Sequence, residues 1–459
     1  MLIFLLAPAV SCGPATNGGN PTPAGLAENA PVQPAPATDS IPEGKLIPAV
    51  FCLSDPSQSY AVYIPLHKTG KSYPVLYFFD PHGDGSLPLE KYKSLAEKYG
   101  FLLMGSNNSK NGIDFSASAY TWNQLFYDSK RRLPVDTGRI YVAGFSGGAK
   151  VASMIAIKNQ PVKSVIASGA GLPPEASPAN FHFSYSILAG EGDMNLTDLL
   201  ALNEGFDKTQ TDHRLILFDG KHEWPPVTVM DIAFAGLQLD AMRAKTIPLD
   251  RQFADGFIAD GRKNIAADVK DQKWINVVED CRLYGRMLEG LSPEAGWFEN
   301  EGKKYQAGTA YRTQYKQNEQ LLAAEQQLKN GYMEQFQKGD INYWDATIKN
   351  LQSAANKPGS ARAMNQRLLA WLSLAFYSLS NQMINTHRDD EARFFVELYK
   401  LDDPSNSEAW YLSAVLLARS NHPQQAKSEL EKAISLGFND TERLKRQEEL
   451  KNIEVHISR

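Results

Sequence analysis

A glycine-rich turn at residues 144–148, which reads Gly-Phe-Ser-Gly-Gly, carries the clearest chemical signal of the chain. A strand-forming apolar run, Ile140 to Ala143, precedes it, and a helix-forming run of small residues follows. A G-x-S-x-G pattern between strand and helix holds its serine on a strained turn, where glycines let the two elements approach closely. This context predicts Ser146 as a nucleophile. The alternative is a Gly/Ser turn without chemistry, so partner residues must decide.

Two later residues meet the needs of such a serine. A serine hydroxyl is a weak nucleophile at neutral pH and requires a general base, which requires an orienting carboxylate. Asp193 and His222 each follow a predicted strand, 183–188 and 214–218. Because parallel strands end at one edge of a sheet, we expect both side chains beside Ser146. The sequence thus predicts Ser146, Asp193 and His222 as nucleophile, orienting acid and base.

Competing assignments exist for the acid and the base. Glu191 is the alternative acid, but Asp193 lies at the apex of its loop. Among the eight histidines, only His82 also follows a strand, and it precedes the acid in the chain. His222 therefore remains the predicted base.

A tetrahedral intermediate also needs two hydrogen-bond donors for its oxyanion. The backbone N–H of Gly147, directly after the nucleophile, is the first predicted donor. The loop after the third strand supplies the second, with the N–H of Asp84 preferred and Gly83 next. An alternative interpretation is that this loop binds a metal ion through Asp80, His82 and Asp84, but the Pro and Gly between them suit a tight turn. No Cys/His spacing resembles a zinc site.

The elements that position these residues alternate between strands and helices. The predicted strands are 46–53, 59–64, 73–79, 101–104, 140–143, 162–167, 183–188 and 214–218. The predicted helices are 87–99, 117–133, 148–159, 195–208 and 226–244. Alternation of this kind is typical of an α/β fold with a mostly parallel sheet covered on both faces.

Three segments together resemble one family: residues 136–148, the His82-Gly83 pair and residues 220–225. They are similar to the polyhydroxybutyrate depolymerase/feruloyl esterase branch of α/β-hydrolases, over roughly residues 46–244. Dienelactone-hydrolase-like proteins and peptidases share much of the pattern. The resemblance implies an α/β-hydrolase sandwich that acts on an ester through an acyl-serine, without a cofactor. The sequence departs from the family at Asp80-Pro81, where an apolar residue usually precedes the His-Gly pair.

The substrate is indicated only indirectly. The connection 168–182, where lids usually insert, is short and rich in Gly, Pro and Ala, so we expect an open site. The candidate walls of the pocket are Phe145, Trp122, Trp224 and His82, although such aromatics are more often core residues. An open cleft suits a bulky, polymeric or glycan-linked ester.

The second half of the chain, residues 249–459, has only helical periodicity and contains an internal repeat at about 373–440. Six positions recur with an offset of 34 residues, the period of tetratricopeptide repeats. The matched pairs are 376/410, 380/414, 383/417, 392/426, 396/430 and 399/433. Such repeats bind a protein or a substrate chain on a concave face; the alternative is a helical flank that stabilises the hydrolase domain, 43–248.

The N-terminus predicts export. Residues 1–12 form an apolar segment that ends in Ala-Val-Ser-Cys and resembles the end of a bacterial lipoprotein signal, with lipidation at Cys12. No Lys or Arg precedes the apolar run, which departs from the usual signal. Residues 13–42 have the composition of a disordered linker. We therefore expect a periplasmic or cell-surface lipoprotein, or a secreted protein, in which Cys52 and Cys281 either pair or remain buried thiols.

The composition narrows the function classes. A net charge of −5 gives no reason to expect a nucleic-acid partner, and a membrane partner is expected only through a lipid anchor. The favoured hypothesis is an exported serine hydrolase that cleaves a carboxylic ester. A serine peptidase with the same triad is the first alternative. The second is a non-catalytic protein with a hydrolase fold that binds through its repeats.

Overall fold

A single mixed sheet of eight strands organises the first half of the molecule. In chain order the strands are β1 (Leu46–Phe51), β2 (Ser59–Tyr63), β3 (Tyr73–Phe79), β4 (Leu102–Ser106), β5 (Val135–Phe145), β6 (Val162–Ser168), β7 (Ser184–Gly190) and β8 (His213–Phe218). They lie in the order β1-β2-β4-β3-β5-β6-β7-β8. Strands β3 to β8 are mutually parallel, whereas β2 is antiparallel to both β1 and β4.

The computed structural model describes residues 41–66, 72–159 and 161–455. The predicted signal segment with Cys12, and the linker as far as residue 40, lie outside the described residues. Within the described ranges, no helix combines the length and the apolar character that a bilayer span requires.

Five helices accompany the strands, and ten more follow them. The first five are α1 (Ser86–Tyr99), α2 (Phe115–Arg132), α3 (Gly147–Lys158), α4 (Leu196–Phe206) and α5 (Val227–Arg243). The others are α6 (Arg251–Lys270), α7 (Trp274–Leu288), α8 (Glu294–Gln306), α9 (Thr309–Lys338), α10 (Ile341–Ala355), α11 (Arg362–Asn385), α12 (Asp389–Asp402), α13 (Ser407–Arg419), α14 (Pro423–Ser435) and α15 (Thr441–Arg446).

The central strand β3 shows why the sheet needs cover on both faces. All seven of its residues are buried, and successive side chains point to opposite faces. Val75, Tyr77 and Phe79 belong to the apolar cluster that includes α2, α3 and α4, whereas Leu76 and Phe78 belong to the cluster that includes α1 and α5. The predicted α/β class, with a mostly parallel sheet covered on both faces and a helical C-terminal region, is confirmed.

The helical region shares part of its core with the sheet. Helices α6, α7 and α8 join the apolar cluster that covers the α1/α5 face, with Phe257 and Tyr284 among its buried residues. Helices α10 to α14 surround a separate core that contains Trp344 and Phe376. The predicted ranges 43–248 and 249–459 are therefore in contact, and their division into domains stays a prediction.

The 34-residue offset is present in the backbone as well as in the sequence. Helices α11 and α12 form one hairpin, and α13 and α14 form the next. His387 and Asn421, one in each turn and 34 positions apart, both have left-handed backbones with φ of 55° and 62°. The next residues, Arg388 and His422, donate backbone hydrogen bonds to Met383 and Leu417, which are also 34 positions apart. The assignment to tetratricopeptide repeats stays a prediction.

Cys52 and Cys281 are free and buried. They belong to the clusters on opposite faces of the sheet. The sequence left open whether these two cysteines pair or remain buried thiols, and in the structure they are buried thiols.

Asp280, on α7, makes stability depend on pH. Burial, reinforced by the charges of Asp268 and Glu279, raises the pKa of the Asp280 carboxyl to about 7. Because this folded-state pKa exceeds the unfolded value of about 3.9, stability is lost as the pH rises from about 4 to 7. Asp280→Asn should therefore raise the free energy of unfolding by about 1–3 kcal/mol at pH 8 and change it little at pH 4. Urea denaturation at both pH values tests this; equal effects at the two pH values would contradict it.

Candidate active site

Ser146 lies on a strained turn between β5 and α3. Its φ of 52° and ψ of −121° are unfavourable for a residue with a side chain. Its backbone N–H donates to the carbonyl of Ser168 at 2.9 Å, which holds the turn against β6. A Cβ on Gly144 would lie 2.1 Å from the Gly148 oxygen, and one on Gly148 would lie 1.9 Å from the Phe79 oxygen. Both glycines are therefore required for the strand and helix to meet.

The structure brings the three predicted residues together. His222 Nε2 lies 2.9 Å from Ser146 Oγ, and His222 Nδ1 lies 3.0 Å from both carboxylate oxygens of Asp193. Because an ionised carboxylate can only accept, Nδ1 carries the proton and Nε2 accepts from the serine hydroxyl. Asp193 is 1% exposed, whereas the His222 side chain is 19% exposed. The imidazole is thus reachable from solvent, and its orienting acid is not.

Asp193, not Glu191, is the carboxylate beside the imidazole. Asp193 Oδ1 also accepts the backbone N–H of Asn195 at 2.8 Å, and the Asn195 side chain donates to the Gly169 carbonyl. The carboxylate of Glu191 instead accepts from Asn276 Nδ2 at 3.2 Å. The acid is therefore fixed by its own turn, and the alternative acid lies in another contact.

Gly169 is a site residue that sequence reasoning missed. Its φ is 65°, and a Cβ there would lie 2.7 Å from the Phe145 ring, 3.1 Å from Asp193 Oδ2 and 3.2 Å from His222 Cε1. Only glycine lets the chain after β6 pass so close to the triad. Its position directly after a strand in Ser-Gly-Ala-Gly was the available signal.

The loop that carries His222 is anchored on α1 and on the turn after β3. Trp224 Nε1 donates to Asp80 Oδ2 at 2.8 Å. Lys91 Nζ donates to the Trp224 carbonyl at 2.6 Å, and the Tyr92 hydroxyl donates to the Pro225 carbonyl at 2.7 Å. These contacts fix the backbone just beyond the imidazole.

The predicted oxyanion donors lie at the start of α3 and in the loop after β3. Gly147 is the first residue of α3, so its N–H has no acceptor within the helix and lies at the positive end of the helix dipole. The Gly83 N–H donates to the Asp80 carbonyl at 3.1 Å. The Asp84 carboxylate accepts two backbone N–H groups at the start of α1. The assignment of Gly147, and of Asp84 or Gly83, as oxyanion donors stays a prediction.

Asp80 and His82 interact with each other. Asp80 is 2% exposed and accepts the backbone N–H of His82 at 2.8 Å. Burial opposes ionisation of Asp80, but hydrogen bonds from His82 and Trp224 lower the pKa of its carboxyl. The hydrogen bond to Asp80 raises the pKa of the His82 imidazole. Across the described residues, no group of three or more His, Cys, Asp or Glu side chains is arranged to hold a metal ion.

The four candidate pocket residues lie in different environments. Trp122 is 2% exposed and stacks on Phe126 at 5.1 Å, so it lies in the core. Phe145 and Trp224 are nearly buried, and the Phe145 ring lies 4.7 Å from that of His222. The side chain of His82 is 82% exposed. The connection between β6 and β7 carries no helix, as expected.

The helical region contacts the turn that carries the acid. Arg367, on α11, donates from Nη1 to the Glu191 carbonyl at 2.5 Å. The same guanidinium forms a buried ion pair with Glu325 on α9, at 2.7 Å. A Cβ on Gly192 would lie 2.6 Å from Gln366 Oε1. The turn that carries Asp193 is therefore contacted by side chains of the helical region.

Comparisons with solved structures give distant likenesses. No family model and no curated protein matches the sequence. Among solved structures, the chain is similar to an esterase from Pyrobaculum calidifontis, with 14% identity and a TM-score of 0.35 over 44% of this chain and 85% of that chain. It is also similar to an esterase from Rhizomucor miehei, with 12% identity and a TM-score of 0.37 over 45% of this chain and 85% of that chain. The acylaminoacyl peptidase of Pyrococcus horikoshii shows 12% identity and a TM-score of 0.31 over 40% of this chain and 39% of that chain.

Proposed function

We propose that the chain is a serine hydrolase that cleaves a carboxylic ester through an acyl-serine intermediate. The observation that carries the proposal is the continuous hydrogen-bonded path from Asp193 through His222 to Ser146, with contacts of 2.9–3.0 Å. The path ends on a serine in a strained conformation, and strain of this kind is concentrated at functional sites. A turn without chemistry would require neither the strain nor the partners.

In the proposed reaction each residue has one step. Ser146 Oγ attacks the ester carbonyl carbon while His222 Nε2 accepts the hydroxyl proton. Asp193 stabilises the resulting imidazolium through Nδ1–H. The Gly147 N–H donates to the oxyanion of the tetrahedral intermediate. When the intermediate collapses, the ester C–O bond breaks and the alcohol leaves with the proton from Nε2.

The second half of the reaction uses the same residues. Water, deprotonated by His222, attacks the acyl carbon, and the acid product leaves as Ser146 regains its proton. The scheme requires no cofactor. The open connection between β6 and β7 supports access for a bulky ester.

A fluorophosphonate probe tests this function because it reacts covalently with an activated serine. We expect the wild-type protein to gain one label on Ser146, located by peptide mass spectrometry, and to hydrolyse 4-nitrophenyl acetate. Ser146→Ala should gain no label. Ser177→Ala, an exposed serine in the connection between β6 and β7, is the matched control and should be labelled like the wild type.

The outcomes separate the alternatives. A wild-type protein that remains unlabelled, or a label that persists in Ser146→Ala, would refute the proposed serine mechanism. Hydrolysis of peptide 4-nitroanilides in preference to esters would favour the peptidase.

A further inference from the structure

A basic cleft lies between the loop after β4 and the C-terminal helix α15. Its volume is about 370 Å³, and its charged lining residues are Lys110, Arg443, Arg446 and Asp440. The lining has three cationic side chains and one carboxylate, and Glu408 beside it pairs with Arg443, so a formal excess of one positive charge remains although the whole chain carries −5. The cleft is therefore a local positive site on an acidic protein.

The cleft adjoins the nucleophile through Asn111, which is one of its lining residues. A Cβ on Gly147 would lie 1.8 Å from Asn111 Oδ1, so this side chain packs directly against the residue after Ser146. Asn111 is held there by its backbone N–H, which donates to the Pro81 carbonyl at 2.8 Å. One residue therefore separates the cleft from the site of acyl transfer.

The charged side chains of the cleft differ in their interaction partners. Arg443 donates to Glu408 at 2.7 Å, and its guanidinium carbon lies 4.3 Å from the centre of the Tyr411 ring. The hydrogen bond to Glu408 uses one of the five N–H donors of the Arg443 guanidinium, so other donors remain for a ligand. Asp440 accepts the backbone N–H of Arg443 and caps α15. In the described part of the chain, no carboxylate pairs with Lys110, which is only partly exposed.

We infer that this cleft binds a carboxylate carried by the ester substrate, close to the bond that Ser146 attacks. The inference rests on the proposed ester hydrolase function and names its substrate class, an acidic ester. A guanidinium recognises a carboxylate through paired N–H donors, and an unpaired lysine beside it adds attraction. The carboxylate belongs either to the acyl part or to the alcohol part of the substrate.

Three substrates distinguish these arrangements. 4-Nitrophenyl acetate is neutral, mono-(4-nitrophenyl) glutarate carries its carboxylate in the acyl part, and 4-acetoxybenzoate carries it in the alcohol part. In the double variant Lys110→Gln/Arg446→Gln, we expect the ratio of kcat/KM for one acidic ester to kcat/KM for 4-nitrophenyl acetate to fall about tenfold. The acidic ester that responds identifies the part that carries the charge.

Lys163→Gln is the matched control. Lys163 is exposed at the amino end of β6, opposite the edge that carries the site, so its removal should leave the ratio unchanged. Rising ionic strength should lower the wild-type ratio, because charge attraction is screened. If the double variant keeps the wild-type ratio for both acidic esters, the inference is wrong.

A binding measurement separates this inference from the proposed function. Ser146→Ala can bind mono-(4-nitrophenyl) glutarate without acyl transfer, so its Kd can be measured by calorimetry even if no ester is hydrolysed. Adding Lys110→Gln/Arg446→Gln should weaken this binding about tenfold if the carboxylate lies in the acyl part. If the wild type hydrolyses no ester but the two substitutions weaken binding in this way, the proposed hydrolase function is refuted and the anion site is retained. An unchanged Kd for this ester and for 4-acetoxybenzoate, without any hydrolysis, would overturn both.

Discussion

Replacing His222 by alanine should lower kcat for ester hydrolysis by about 10⁴-fold or more. In the proposed mechanism the imidazole accepts the proton of Ser146, across 2.9 Å, and without it the serine would attack as a neutral hydroxyl. Loss of a triad member in serine hydrolases typically leaves only the contribution of oxyanion stabilisation and substrate binding. The measurement is the initial rate of 4-nitrophenyl acetate hydrolysis at saturating substrate, with protein at a concentration high enough to detect the residual rate.

His182→Ala provides the matched control for this experiment. His182 is exposed in the connection between β6 and β7 and should leave kcat within about twofold of the wild type. A His222→Ala protein that folds normally and keeps more than a tenth of the wild-type kcat would contradict the assignment of the base. His82 would then be the next histidine to replace, although its imidazole is paired with Asp80.

Much of the fold was predictable because its signals are local. An apolar run such as residues 73–79 indicates a strand buried on both faces, and the alternation with helical segments indicates a parallel sheet. The site followed from topology, since Ser146, Asp193 and His222 each come shortly after a strand that ends at the same edge. Element ends were less well predicted: the strand before Ser146 was expected at 140–143, whereas β5 spans Val135–Phe145.

The contacts that complete the site were not predictable in the same way. Gly169 and Asn111 lie against the triad and Gly147 because separate loops meet at the sheet edge, and a single sequence does not encode such distances. Trp122 illustrates the same difficulty, since its place in a helix near the strand ends did not reveal that it points into the core. Helical periodicity after residue 249 indicated which faces are apolar. It did not indicate that α11 would reach the turn before Asp193.

Replacing Arg367 by methionine should lower the free energy of unfolding by about 3–5 kcal/mol, which is typical when one partner of a buried ion pair is removed. The side chains of Arg367 and Glu325 are 5% and 2% exposed, so the variant leaves the carboxylate buried without its guanidinium. Urea denaturation measures the loss. Arg362→Met is the matched control on the same helix: its ion pair with Asp219 is exposed, and its removal should cost less than about 1 kcal/mol.

Arg367→Met should also lower kcat, because the carbonyl of Glu191, two residues before Asp193, loses its hydrogen bond. The triple variant Arg367→Met/Glu325→Leu/Lys329→Met separates the two effects. Because Lys329 lies 2.7 Å from Glu325, all three charges of this cluster are removed together, and apolar side chains in their place should largely restore stability. The Glu191 carbonyl still lacks its donor, and small displacements of catalytic groups are costly, so kcat should remain about tenfold below the wild type. A triple variant with the wild-type kcat would show that Arg367 stabilises the fold without positioning the acid.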